Sequence, residues 1–307
     1  MSMDFQQDYI KRGSHKIYVA KHGPSSDRAF LFLHGGPGIG FSIHDKQLFD
    51  FSQQQVIFFD QRGCGKSLPK GEIKRNRTED LLEDIDSILD LHQINQVTLV
   101  GGSWGSTLAL LYAIKNPNRV ERIILRGLFC ATTEERRYFE CGGTAAKYPE
   151  AWERFRLLAK VDSDEEVMPY YFKKILRGSE EEQKIYAFAL ETYGLEMSIP
   201  AMNLEEVRNK VERSDYKTAA KIFAHYSVKN FFITDNYIWE NLSQLASTPI
   251  QLVHGKNDQI TRIQHAQRLA DFSSNFKLIE TNSGHSAYDT ENFLAVSTLI
   301  NNVPHGI

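Results

Sequence analysis

Val97-Thr98-Leu99-Val100-Gly101-Gly102-Ser103-Trp104-Gly105-Ser106-Thr107-Leu108-Ala109-Leu110 compresses an apolar strand, a glycine-walled corner and the start of a helix into one short stretch. The corner reads Gly101-x-Ser103-x-Gly105, a serine held on a sharp strand-to-helix turn. Such a turn needs small residues on both sides of the serine, because a neighbouring Cβ would clash. It lifts the hydroxyl clear of the sheet and aims the next backbone N–H, that of Trp104, at any oxyanion that forms there. An ordinary turn that happens to contain a serine has the same five-residue pattern. What separates the two readings is whether the rest of the chain supplies a base, an acid and a second N–H donor.

Upstream, Lys16-Ile17-Tyr18-Val19-Ala20 predicts a first strand closed by Gly23-Pro24. Ala29-Phe30-Leu31-Phe32-Leu33 and Gln55-Val56-Ile57-Phe58-Phe59 are unbroken apolar runs of strand length, as expected of strands covered on both faces. Thr78 is the expected N-cap of a helix carrying Leu81, Leu82, Ile85, Ile88 and Leu89 at helical spacing. Thr107 to Lys115 predicts the helix behind the serine, stopped by Asn116-Pro117, and Glu121 to Gly127 predicts another strand. Strands alternating with helices in this way predict a mostly parallel sheet with helices on both faces. From 131 to 240 the chain turns charged and aromatic with helical periodicity, and Pro149, Pro169, Gly178 and Pro200 divide it into short helices. This stretch predicts a helical cap inserted into a core formed by 1–130 and 241–307. Strands resume at Pro249 to Gly255 and Phe276 to Glu280, before a last helix at about Glu291 to Asn302.

Both resumed strands run into loops that hold titratable groups, Lys256-Asn257-Asp258 and Thr281-Asn282-Ser283-Gly284-His285-Ser286. In open parallel sheets, functional groups gather beyond the carboxyl ends of the strands. Ser103, Asp258 and His285 therefore fall at one edge, in the chain order Ser…Asp…His of an α/β-hydrolase. A serine hydroxyl needs an imidazole to take its proton, and a carboxylate to orient that imidazole. Asp271 and Asp289 are rival acids, although neither directly follows a predicted strand. His34-Gly35-Gly36-Pro37-Gly38 follows an early strand, and the Gly36 N–H, within one residue either way, is the expected second oxyanion donor. His34 is expected to brace that loop. Asp60-Gln61-Arg62-Gly63-Cys64-Gly65-Lys66-Ser67 lacks phosphate-loop spacing and reads as a structural turn in which Arg62 buttresses the loops by ion pairing.

The whole-chain properties narrow the setting. With 307 residues, 41% hydrophobic and 24% charged, the chain is of soluble globular composition. A net charge of −3 gives no reason to expect nucleic acid or an anionic membrane as partner. Cys64, Cys130 and Cys141 are odd in number and lack CxxC spacing, so they read as reduced thiols rather than a disulfide framework or metal site. No apolar run approaches a membrane span and the start has no secretory pattern, so a cytoplasmic protein is expected.

His34 to Gly38, Asp60 to Ser67, Gly101 to Ser106, Leu125-Arg126-Gly127-Leu128-Phe129 and Gly284-His285-Ser286 together resemble the prolyl aminopeptidase (proline iminopeptidase) family, in order and nearly end to end. The resemblance implies an α/β-hydrolase fold with a helical cap, no cofactor, and release of N-terminal proline from small peptides with a free N-terminus. It implies that Ser103, Asp258 and His285 form the triad, and that cap carboxylates hold the substrate's cationic amine. Glu191 matches the first of those carboxylates, while Tyr138 and Phe139 match aromatics that line the pocket. The second carboxylate position corresponds to Phe223, a further aromatic to Ser227, and a cysteine near the proline ring to Thr261. Glu196 is a candidate replacement for the missing carboxylate. These departures keep open an esterase or amidase on the same scaffold, and a binding protein that has kept the scaffold without the chemistry.

Overall fold

A computed structural model of the chain describes residues 5–302. Eight strands form one sheet: β1 (Phe5–Arg12), β2 (His15–His22), β3 (Arg28–Leu33), β4 (Val56–Phe59), β5 (Gln96–Gly102), β6 (Val120–Arg126), β7 (Ile250–Gly255) and β8 (Phe276–Thr281). Their order is β1-β2-β4-β3-β5-β6-β7-β8. The first two strands pair antiparallel with each other, β2 pairs antiparallel with β4, and every later pairing is parallel. The mostly parallel sheet is as expected, but β1 is an addition. Its burial pattern is almost wholly exposed, so it lacks the apolar run by which the other strands are recognised in sequence.

The unbroken apolar runs divide by alternation. Leu31, Leu33, Ile57, Phe59, Ile123 and Leu125 face one core, whereas Phe32, Val56, Phe58 and Ile124 face the other. On the first face pack α2 (Thr78–Leu91), α3 (Trp104–Lys115) and α11 (Ile263–Ala270); on the second packs α12 (Thr290–Asn301), with the one-turn α1 (Ile43–Lys46) leading into Leu48 and Phe49 there. Helix α3 is buried from Trp104 to Ile114, as befits a helix apolar all round at the centre of the layer.

Between β6 and β7 lie α4 (Thr133–Glu140), α5 (Pro149–Ala159), α6 (Asp164–Arg177), α7 (Glu180–Ser198), α8 (Leu204–Glu212), α9 (Tyr216–Ser227) and α10 (Tyr237–Asn241). Helices α5 to α9 enclose an apolar cluster of their own around Phe155, Tyr171, Leu190 and Tyr193. Past α9 the chain returns to the sheet, and Phe231, Ile238 and Leu242 join the core around α3. Three cap helices open with reciprocal capping pairs, Thr132/Glu135, Ser179/Glu182 and Asn203/Glu206.

Two local expectations are corrected. Pro169 does not break a helix but lies inside α6, early enough that only the carbonyl of the first turn loses its partner, while Val167, Met168, Tyr171, Phe172 and Ile175 bury the helix face. Thr78 is the first residue of α2 and not its cap; Arg77 takes the cap position, and the buried Thr78 hydroxyl donates to the Phe231 carbonyl. Among the described residues no helix is long and apolar enough to cross a membrane.

Candidate active site

Ser103 joins β5 to α3 at φ +54° and ψ −123°, a conformation that an L residue holds only when its surroundings fix it. The surroundings here are backbone. A Cβ on Gly105 would stand 1.9 Å from the Leu33 carbonyl oxygen, and one on Gly101 would stand 2.3 Å from that of Gly105. Only glycine permits β3, β5 and α3 to approach so closely.

The loops after β7 and β8 bring the partners to this serine. His285 Nε2 lies 3.1 Å from Ser103 Oγ, and its Nδ1 lies 2.7 Å from Asp258 Oδ2. Asp258 is buried, and burial alone would raise its pKa. The charge and hydrogen bond of His285, with the Thr261 N–H, overturn this and hold the carboxyl down at about 2. The Ile260 and Thr261 N–H groups donate to Oδ1, each at 2.9 Å, and the Thr261 hydroxyl donates to Oδ2 at 2.9 Å. His254 accepts from the Leu128 N–H at Nδ1, which leaves its Nε2 to donate to the Thr261 carbonyl. Burial lowers the His254 pKa, so this ring stays neutral behind the carboxylate. The rival acids lie elsewhere: Asp289 accepts from the Gly284 N–H just before α12, and Asp271 ends α11.

Trp104 is the first residue of α3, so its N–H has no intrahelical acceptor. The glycine loop after β3 lies against Ser103, a Cβ on Gly35 meeting Ser103 Cβ at 3.4 Å. Gly36 follows at φ +112°. The buried His34 accepts from the Gln61 N–H at Nε2 and donates from Nδ1 to the Gly35 carbonyl. Gln61 in turn donates to the His34 carbonyl and accepts from the Trp104 indole. Arg62 forms a buried two-pronged pair with Asp84, both contacts at 2.7 Å. These bonds tie the turn after β4 to the loop, the elbow and α2.

Above Ser103 and His285 the cap roofs a cavity of about 490 Å³. Phe129, Phe139, Phe223 and Phe231 line it, their rings meeting edge to face. Glu191, on α7, lines it too. It makes no ion pair among the described residues, and burial pushes its carboxyl up to about 7. Tyr138 is not part of the lining: its hydroxyl donates to Gln259, and Arg262 stacks on its ring at 4.4 Å. Helix periodicity explains this correction, since α4 turns Arg136, Phe139 and Glu140 to the cavity and Tyr138 away from it. Glu196 does not replace the missing carboxylate, being paired with Arg154 outside the lining. Ser227 is buried off the cavity, its hydroxyl without a partner.

Glu140, which the sequence reading passed over, is a further carboxylate of the lining, beside Asp45, Glu135 and Asp215. Burial pushes it up to about 7 against the pull of Arg136 and Arg137. Its signal was positional: it lies four residues after Arg136 and one after Phe139 on a short capped helix.

The sheet, the elbow and the loops that meet it are those of an α/β-hydrolase, and the family model for the alpha/beta hydrolase fold matches residues 28–292. The chain is 34% identical over 277 residues to a proline iminopeptidase of Arabidopsis thaliana, covering 89% of this chain and 73% of that one. It is 31% identical over 288 residues to a proline iminopeptidase of Neisseria meningitidis serogroup A, covering 93% and 92%. Among solved structures it is similar to an alpha/beta fold family hydrolase from Bacillus anthracis, at TM-score 0.64 and 16% identity over 97% of this chain and 100% of that one. An esterase from Exiguobacterium antarcticum is similar at TM-score 0.60 and 19% identity over 96% and 98%. The chain belongs to the α/β-hydrolases, and within them to the proline iminopeptidase family.

Proposed function

We propose that the protein is a serine hydrolase that releases N-terminal proline from small peptides through an acyl-enzyme, and that it works in the cytoplasm. The observation that carries this reading is His285 bridging Ser103 and Asp258 beneath a cavity whose half-buried Glu191 has no counter-ion among the described residues. A buried carboxylate without a partner is costly, and a cationic ligand removes the cost. The free secondary amine of an N-terminal proline is such a cation, and the aromatic lining suits its ring. Phe139 belongs to that lining.

In the proposed mechanism His285 Nε2 takes the Ser103 proton as Oγ attacks the prolyl carbonyl. Asp258 holds the imidazolium. The N–H groups of Trp104 and Gly36 receive the oxyanion. Collapse breaks the C–N bond, and His285 returns the proton to the departing amine. Water, deprotonated by the same imidazole, then attacks the prolyl ester, and free proline leaves. The cap of 131–240 excludes bulk water and supplies the amine site, while 1–130 and 241–307 supply the chemistry.

A proline arylamide assayed beside an acetyl ester tests the reading, with a fluorophosphonate probe for Ser103. Release of the arylamine and labelling of Ser103 are expected. Ester turnover without arylamine release favours the esterase reading, and failure to label Ser103 favours a scaffold without catalysis.

A further inference from the structure

Three cations line the cavity: Arg126, Arg136 and Lys210. Arg126 is bonded to the His285 carbonyl oxygen and so holds the catalytic loop. Lys210 is exposed, and water meets its needs. Arg136 differs from both. Its Nη2 donates to Thr133 Oγ1 at 3.0 Å, but its Nε is buried and has no acceptor. Among the described residues no carboxylate comes within ion-pair distance of it, and Glu140 on the same face of α4 does not close on it. A half-buried guanidinium with a dry, unused N–H facing a cavity lacks a planar anion, and a carboxylate fits its fork.

We propose that Arg136 binds the free C-terminal carboxylate of the substrate, so that the preferred substrates are di- and tripeptides charged at both ends. The inference rests on the reading above for the amine end. Glu191 stands on α7 and Glu140 on α4 four residues after Arg136, and burial raises each. Glu191, without an ion pair among the described residues, is the carboxylate for the amine. On α4 stands a guanidinium whose neighbour, Glu140, is pushed by burial up to about 7, so that below neutral pH it is mostly protonated and competes weakly for Arg136. A cavity of this volume encloses a ligand of drug-like size, not a long chain. A peptide ending inside it brings its carboxylate with it.

The test is calorimetric titration of the Ser103→Ala protein with prolylglycine and with prolylglycinamide, which differ only in the terminal charge. The acid should bind about ten- to a hundredfold tighter, the span of one charge-assisted pair. Adding Arg136→Gln should bring the ratio close to one. Arg136→Lys should keep part of it, and Glu140→Gln should raise it by removing the competitor. Equal binding of acid and amide, a ratio that survives Arg136→Gln, or binding of neither peptide overturns the proposal. A proline arylamide has no carboxylate, so its turnover by the unmodified enzyme stands or falls with the aminopeptidase reading alone.

Discussion

Ser103, Thr261 and Glu191 each make a different demand on a single side chain. In the proposed mechanism Ser103 carries the bond-making oxygen, and its backbone strain is fixed by neighbours rather than by its hydroxyl. Ser103→Ala should therefore leave the melting temperature within a few degrees of wild type and cut kcat roughly 10⁴- to 10⁶-fold. Thr261 stands where the resemblance puts a cysteine beside the proline ring. It is turned to the chemistry as well, for its hydroxyl donates to Asp258 Oδ2 and lies 3.3 Å from His285 Nδ1. Thr261→Val removes a donor from a buried carboxylate, and kcat should fall about tenfold or more with little change in KM. Glu191 must be ionised to hold an ammonium ion, yet burial pushes its pKa up to about 7. Affinity for a proline amide should consequently weaken about tenfold per pH unit as pH falls below 7, read as Kd on the Ser103→Ala protein. Glu191→Gln should weaken binding and flatten that limb of the profile.

The elements were legible in proportion to how much of their sequence the core dictates. Strands β3 to β8 carry apolar runs bounded by glycine, proline or polar loops, and each stands within a residue or two of its expected place. The hairpin strand β1 is exposed on both faces and left no such trace. Asp258 and His285 were legible because parallel strands deliver their loops to one edge. The cavity walls were not, because which face α4 or α7 turns inward depends on packing across the cap. Phe139 reaches the cavity and Tyr138 does not, though they are adjacent in sequence. Glu140 was missed for the same reason. The junction of β5 and α3 yields a prediction about folding: Gly105→Ala places a methyl group into the Leu33 carbonyl, so the variant should be insoluble or lose several kcal/mol in denaturant titration.

At the scale of the whole molecule, the cavity sets function against stability. An acid with a folded-state pKa above its unfolded value binds its proton more tightly when folded. Stability should accordingly fall as pH rises from the ordinary glutamate value of 4.5 to about 7, and Glu191 accounts for about 3 kcal/mol of that loss. Glu191→Gln should then melt higher than wild type at pH 8 and almost identically at pH 4 in thermal scans, even as it loses affinity. Burial pushes the Cys64 and Cys130 thiols well above the ordinary thiol value, while Cys141 at the end of α4 is only partly covered. A thiol reagent should label no more than Cys141 in the folded chain and all three cysteines after denaturation.

The central claim is that the enzyme reads a free prolyl amine through Glu191 before Ser103 attacks. The comparison that bears on it most directly is kcat/KM for a proline arylamide against its N-acetylated counterpart, in wild type and in Glu191→Gln. The unblocked substrate should be favoured by at least about a hundredfold, the span of one lost buried charge pair, and Glu191→Gln should erase most of that preference. Equal turnover of the two substrates by the wild type, or a preference untouched by Glu191→Gln, would contradict the account.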